Sequence, residues 1–411
     1  MMWEVNPEDD INTQWSMLLN KMKHIINYSI PQREVIFSSK DRIWMTPLTK
    51  ALINEKWRAY RQRNWPVFNH LKQKARIEIL KAKSLWAAKS KSSPYGLWKL
   101  AKHLSGKEAK NELHNLISQF KTPSELAEKI ASVISEISSE NPISTSCGSM
   151  DEEKAFYEHS CSGVWTCEIS ETEIRRLLED LDARKAMGCD HIPNRIYSLL
   201  APFIANPLKT IFETSISQKV FPSEWKKAVI VPIPKTNPPM ITKLRTISLL
   251  PSPAKILEKL VLRSMRHKLE PLIGPNQHAF RSGASTTTAL IQILDTATQI
   301  FDDVTFSGFG VINLDFSKVF DLVDHSTLLT KMTSARLSKN FIDWLRSYLS
   351  DRSYRVKIQG ILSGDHKFLR GVPQGSVLGP ALFSTLVGDL PYDKSTTVSY
   401  THLTLPTILL V

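Results

Sequence analysis

An apolar, β-branched run, Val311-Ile312-Asn313-Leu314, delivers a carboxylate, Asp315, to the end of an expected strand, and an aromatic ring, Phe320, follows five residues later. A rigid strand ending in Asp suits a Mg²⁺ site, because that ion takes hard oxygen ligands held beside a phosphate. Further on, Gly371-Val372-Pro373-Gln374-Gly375-Ser376 reads as a Gly/Pro turn. Its small residues let backbone and the Gln374 amide come close to a ligand. Taken singly, each signal has a plainer reading. An Asp closing an apolar strand is also an ordinary strand end, and a Pro-Gln-Gly turn is also only a turn.

Together and in this order the two blocks resemble the reverse transcriptase domain of non-LTR (LINE-type) retrotransposons. The family pattern LDLSKAFDTVDH meets LDFSKVFDLVDH here (Leu314 to His325), and GVPQGSVLGPLLF meets GVPQGSVLGPALF (Gly371 to Phe383). The likeness runs over about residues 40 to 400. It implies an α+β fold, the fingers and partial palm of a right-hand polymerase with a small antiparallel sheet, preceded by a helical basic region. It also implies RNA-directed DNA synthesis, with an RNA template, a DNA primer and dNTPs as partners. Two Mg²⁺ ions about 3.5–4 Å apart would serve the nucleotidyl transfer.

Residue by residue, the resemblance makes Asp315 a catalytic, metal-bridging carboxylate. The Phe316 backbone lies beside the ions, and the Phe320 ring excludes a ribose 2′-hydroxyl. Gln374 and Gly375 sit over the base and sugar of the incoming nucleotide. Ala228 to Lys235 is a Pro-bearing edge strand, and Leu244-Arg245-Thr246-Ile247-Ser248-Leu249-Leu250-Pro251 resembles the family's YRPISLLP. By that likeness Lys235 and Arg245 grip the triphosphate, the one a mobile point charge and the other a planar fork. Gln277 to Gly283 resembles QFGFRKG, which places Phe280, Arg281 and Gly283 against the template. Asp321 and Asp324 are expected to cap helix starts instead of ligating metal.

The chain also departs from the family. Lys185 to Pro193 resembles KAPGPDGIP, with Cys189 and His191 in place of Pro and Gly, and Thr246 replaces another Pro. The family draws its remaining carboxylates from a [FY]ADD hairpin, whereas here Tyr400 is followed by Thr401-His402-Leu403-Thr404. Residues 401–411 are therefore expected to be a non-family tail, strand-like and foldable on a sheet edge. The chain is expected to be truncated before that motif, to lack the endonuclease, and to be catalytically inactive. The alternative is a non-catalytic fragment that binds RNA or RNA–DNA hybrid.

Composition sets the outer bounds. A chain of 411 residues, 42% of them hydrophobic, is long enough for two or three cores. No run of eighteen apolar residues and no basic-then-apolar leader exists, so an intracellular, non-secreted protein without a membrane span is expected. Cys147, Cys161, Cys167 and Cys189 fit neither a disulfide framework nor a zinc pair. The net charge of +13 is concentrated: residues 50–107 carry fifteen Lys/Arg against Glu55 and Glu78, leaving the remainder neutral. Interleaved with Trp57, Trp65, Trp86 and Trp98, that segment reads as a nucleic-acid surface; a solvated helix face is the plainer reading.

Helix signals then order the chain. Thr46-Pro47 opens one helix, and Phe68, Leu71, Ala75, Ile79, Ala82 and Trp86 form the apolar stripe of the next, with Lys72, Lys74, Arg76, Lys81 and Lys83 opposite. Thr122 with Glu125, and Ser170 with Glu173, read as capping boxes. The expected domains are a basic helical region at 1–140, a linker at 141–166, an N-terminal extension with fingers at 167–300, and a partial palm at 301–400.

Overall fold

The structure, a computed structural model, describes residues 3, 5–30, 42, 44–91, 113–139, 165–236, 238–274, 277–302, 311–314, 318–388, 397–399 and 407–410. Asp315, Phe316, Trp98 and nearly all of the expected linker lie outside them. The chain divides into two compact units: residues 24–112, and residues 1–23 together with 113–411.

The smaller unit holds a helical hairpin. Helix α2 (Pro47–Arg61) follows α1 (Ile11–Ser29) and starts where a reciprocal cap forms. The Thr49 amide donates to Thr46 Oγ1 at 3.2 Å, and the Thr46 amide donates to Thr49 Oγ1 at 2.8 Å. Proline at the first helical position lacks only a hydrogen that would have had no partner there. Helix α3 (Trp65–Lys91) packs along α2. The expected stripe is its inward face: Ala75 and Ala82 are buried and Phe68, Leu71, Ile79 and Trp86 half-buried, while Lys72, Lys74, Arg76, Lys81 and Lys83 are exposed.

In the larger unit, helix α4 (Pro123–Ser139) covers a sheet. That sheet runs in the order β2 (Leu244–Leu249), β1 (Lys227–Pro234), β4 (Ser353–Ile358), β5 (Ile361–Leu362), with β6 (His366–Lys367) also on β4. Leu126, Ile130 and Ile134 of α4 share one apolar core with Ile230, Tyr354 and Val356. The Tyr354 hydroxyl donates to the Ala131 carbonyl at 3.0 Å. Residues 113–139 thus belong with the sheet. An amphipathic stripe says that a helix is buried without saying against what.

The expectation of a small antiparallel sheet fits one of the two sheets and not the other. Strands β1 and β2 are antiparallel, but β1 and β4 are parallel, so the larger sheet is mixed. Parallel neighbours require a long crossover, and the chain from 235 to 352 supplies it. The smaller sheet is antiparallel, in the order β3 (Val311–Leu314), β8 (Thr407–Leu410), β7 (Thr397–Ser399). The tail strand β8 accordingly lies between the other two instead of at an edge.

Further helices complete the frame: α5 (Glu171–Glu179), α6 (Asn194–Gln218), α7 (Ser252–Leu269), α8 (Thr286–Asp302), α9 (His325–Ser334), α10 (Lys339–Leu349) and α11 (Leu378–Val387). At α4 the Glu125 amide donates to Thr122 Oγ1 at 3.2 Å. At α5 the expected capping box does not form. Ser170 Oγ bonds Thr172 Oγ1 at 2.7 Å, and Glu173 is drawn away into an ion pair with Arg263 of α7. Among the described residues no helix is long and apolar enough to cross a membrane.

Candidate functional site

The turn at 371–376 is held from two sides. On one side the Gly371 amide donates to the Val323 carbonyl at 2.8 Å and the Val372 amide to the Phe320 carbonyl at 2.7 Å. His325 Nε2 donates to the Gly371 carbonyl at 2.8 Å. Burial lowers the His325 pKa, opposed by the bond to the Gly371 carbonyl and by the charge of Asp324. On the other side the Ser248 amide, in β2, donates to the Gln374 carbonyl at 2.7 Å. The turn therefore clamps β2 to the segment that follows β3.

Two glycines make that approach possible. Gly371 has φ +86°, and a Cβ there would stand 2.7 Å from the carbonyl oxygens of Phe320 and Asp321. Gly375 has φ +118°, and a Cβ would stand 2.8 Å from the Ser248 carbonyl oxygen. Positive φ and close backbone approach together admit only glycine.

Asp321 lies in the resulting crevice, not at a helix cap as expected. Gln374 Nε2 donates to its two carboxylate oxygens at 3.1 and 3.2 Å. Since a carboxylate only accepts, this pairing fixes which end of the Gln374 amide faces Asp321. Burial pushes the Asp321 carboxyl up to about 6, opposed by the Gln374 hydrogen bond and the nearby Lys318 and Lys235 ammonium groups. Asp324, by contrast, does cap α9: the Thr327 amide donates to its Oδ2 at 2.8 Å.

Behind the turn stands a second acid that sequence reasoning passes over. Glu258 is fully buried on α7, and its Oε2 accepts the amides of Val377 (2.5 Å) and Leu378 (3.1 Å) at the start of α11. A carboxylate suits a helix N-terminus, where amide hydrogens lack partners. Burial raises the Glu258 pKa, opposed by the Leu378 amide and by the charge of Arg352. Arg352 is itself buried; its Nη1 donates to the Tyr348 carbonyl at 2.7 Å and its guanidinium lies 4.7 Å from the Tyr348 ring centroid. A signal for Glu258 exists in the sequence. It shares the 254–258–261–265 spacing of a buried helix face with Ala254, Val261 and Met265.

The expected ligand residues distribute as follows. Lys235 and Arg245 are both exposed and lie at one end of the β1–β2 pair, where Ile233 faces Arg245 and the Lys235 amide donates to the Lys243 carbonyl at 3.1 Å. Thr246 lines the same cleft as Lys318 and Asp321. Phe320 is buried, 5.4 Å from Phe383 and 6.2 Å from Phe280, centroid to centroid. The Phe280 ring thus joins the 277–283 segment to the crevice. Arg281 is tied to Glu270 at 2.8 Å, and Gly283 has φ +81° with open space around it. Where the family pattern has Gly, His191 takes φ +61°, the backbone state that glycine enters at least cost. The neighbouring Gly188 lies so close to Leu250 and Pro251 that a Cβ would meet backbone at 2.5 Å.

Among the described residues no three His, Cys, Asp or Glu side chains come together as a metal cage. Asp315 stands outside those residues.

Residues 233–403 match the family described as reverse transcriptase (RNA-dependent DNA polymerase). The chain is 32% identical over 223 residues to the RNA-directed DNA polymerase from mobile element jockey of Drosophila melanogaster, covering 53% of this chain and 24% of that protein. It is 30% identical over 223 residues to the probable RNA-directed DNA polymerase from transposon BS of the same organism, with the same 53% and 24% coverage. A third relative, the probable polymerase from transposon X-element, is 30% identical over 229 residues, 55% of this chain and 24% of its own length. The match thus spans about a quarter of these relatives.

Proposed function

Because residues 233–403 match the family described as reverse transcriptase (RNA-dependent DNA polymerase), and the relatives are RNA-directed DNA polymerases of a transposon and a mobile element, we propose that this chain is the nucleotide- and template-holding part of an RNA-directed DNA polymerase from a non-LTR retrotransposon. The β1–β2 pair acts as fingers and residues 311–388 as palm. Incoming dNTPs lie under the 371–376 turn, with Gln374 and Gly375 against base and sugar and Lys235 and Arg245 on the triphosphate. Phe280, Arg281 and Gly283 face an RNA template paired with a DNA primer. Asp315 would hold Mg²⁺, which supplies charge neutralisation for phosphoryl transfer when bound. Residues 50–107 add a basic nucleic-acid surface.

The observation that carries this reading is the clamped turn. It sets the Gln374 amide against Asp321, with Lys318 lining the same cleft and Lys235 near enough to act on the carboxylate by charge, beside the strand pair that bears Arg245. Catalysis by the chain as it stands is proposed to be below detection, since Thr401-His402-Leu403 occupies the place of Ala-Asp-Asp. The test is dNTP binding by the full chain on an RNA template–DNA primer. Gly375→Ala should weaken dNTP affinity at least about tenfold, through displacement of the turn from Ser248, with template–primer affinity unchanged. Equal dNTP affinity in the variant would refute the nucleotide site, and Asp315-dependent primer extension would refute the proposed inactivity.

A further inference from the structure

The corner between α2 and α3 carries four aromatic rings packed on one another. Tyr60 is the hub: its ring centroid lies 5.6 Å from Trp57, 5.6 Å from Trp65 and 5.5 Å from Phe68, and Trp65 lies 6.0 Å from Phe68. A cluster that served only as a small core would hide its rings. Here Trp57 keeps 48% of its surface exposed, Tyr60 46% and Trp65 52%. Large aromatics left this open, side by side, mark a surface that meets something.

The charges around the rings indicate what. Arg58, Arg61 and Arg63 surround the corner; all three are exposed, and among the described residues none is in an ion pair. The Lys56 ammonium lies 4.4 Å from the Trp57 ring centroid. Residues 44–91 hold twelve Lys/Arg against Glu55 and Glu78, and Glu78 is already engaged by Lys81 at 2.9 Å. The corner is also stiff. The amides of Gln62, Arg63 and Asn64 donate to the carbonyls of Arg58 (3.0 Å), Tyr60 (3.0 Å) and Ala59 (3.1 Å), closing α2 into the turn. Rings presented on a fixed frame lose little freedom when a flat partner stacks on them.

From this we propose that Trp57, Tyr60 and Trp65 form a stacking platform for unpaired bases, with Arg58, Arg61 and Arg63 holding the adjoining phosphates. The ligand is single-stranded nucleic acid. A duplex offers the arginines its phosphates but keeps its base faces stacked inside. This inference rests on the proposal that residues 50–107 bind nucleic acid and adds to it a preference for unpaired strands and the residues responsible.

The experiment uses the full chain and fluorescein-labelled oligouridine, with an RNA duplex of equal length as control, followed by anisotropy over a range of KCl. Replacing Trp57 and Trp65 together with Leu keeps apolar bulk but removes the flat rings. This pair should lower single-strand affinity about tenfold or more and duplex affinity less than about twofold, with helical circular dichroism unchanged. Replacing both with Phe should restore most of the affinity. Equal reductions on single strand and duplex, or none on either, would overturn the platform while leaving the basic surface standing. Absence of salt-dependent binding to both ligands by the unaltered chain would overturn the basic surface as well. Disappearance of concentration-dependent self-association in the Leu pair, with single-strand affinity unchanged, would instead identify the rings as an interface between two copies and overturn the proposal.

Discussion

The α2–α3 hairpin and the crevice beneath the 371–376 turn use charge in opposite ways. In the hairpin the cations are numerous, and Arg58, Arg61, Arg63, Lys72, Lys74 and Arg76 among them are exposed; the packing beneath them is thin, with Ala75 and Ala82 the buried residues of α3 among those described. In the crevice the charged groups are few, withdrawn from water and individually held: Glu258 by two amides, Arg352 by a carbonyl and a ring, Asp321 by Gln374. An exposed cation adds attraction for a partner at almost no structural cost. A buried charge has a desolvation cost, and what it returns is position. The contrast yields a rule: changes in the crevice should move stability, and changes on the hairpin's outer face should move binding alone.

The largest effect should come from Glu258. Removing its carboxylate in Glu258→Ala strands two amides at the start of α11 and takes away a negative charge near buried Arg352. A destabilisation of about 3 kcal/mol is expected from urea denaturation. Glu258→Gln retains an acceptor oxygen and should cost less. A change under about 0.5 kcal/mol in the Ala variant would erase the distinction between the regions, since exposed charges on the hairpin cost no more.

Asp321 should give a smaller effect with a pH signature. Its folded pKa, about 6, lies above the ordinary value of 3.8, so between those two pH values the folded protein binds a proton that the unfolded chain does not. Stability from this group therefore rises as pH falls through 6 and disappears as pH rises through it. Asp321→Asn should accordingly stabilise the protein by on the order of 1 kcal/mol at pH 8 and be close to neutral at pH 4, by thermal melts at both. A variant with the same offset at both pH values would mean that the carboxylate is solvated after all.

The hairpin is far more legible in the sequence than the crevice. Thr46-Pro47 and the three- and four-residue spacing from Phe68 to Trp86 are local signals, and local hydrogen bonding and helix packing obey them. The 371–376 turn is legible as a close approach, and Gly371 and Gly375 do take positive φ against neighbouring backbone. What they approach, Phe320 and Ser248, is not, because it depends on the meeting of segments about 50 and 127 residues apart. Asp321 escapes a sequence reading for that reason: spacing alone favours a helix cap, and only the tertiary fold sets Gln374 opposite it. The α4 helix shows the same limit, its stripe visible and its partner sheet not. Ser170 does not form its capping box because a distant arginine competes for Glu173.

The smallest change in stability should accompany a clear change in binding on the hairpin face. Lys72, Lys74 and Arg76 are exposed on α3 away from its buried residues. Replacing all three with Ala raises helix propensity and removes like-charge crowding, so unfolding should shift by no more than about 0.5 kcal/mol. If these side chains neutralise phosphates, the slope of log affinity against log salt for duplex nucleic acid should flatten by about 0.9 for each phosphate that is no longer neutralised. A flattening that corresponds to all three cations, with single-strand preference retained, would separate this face from the rings at the corner. Unchanged slope with unchanged stability would make the face a solvated one, and would confine nucleic-acid binding to the arginines beside Trp57 and Trp65.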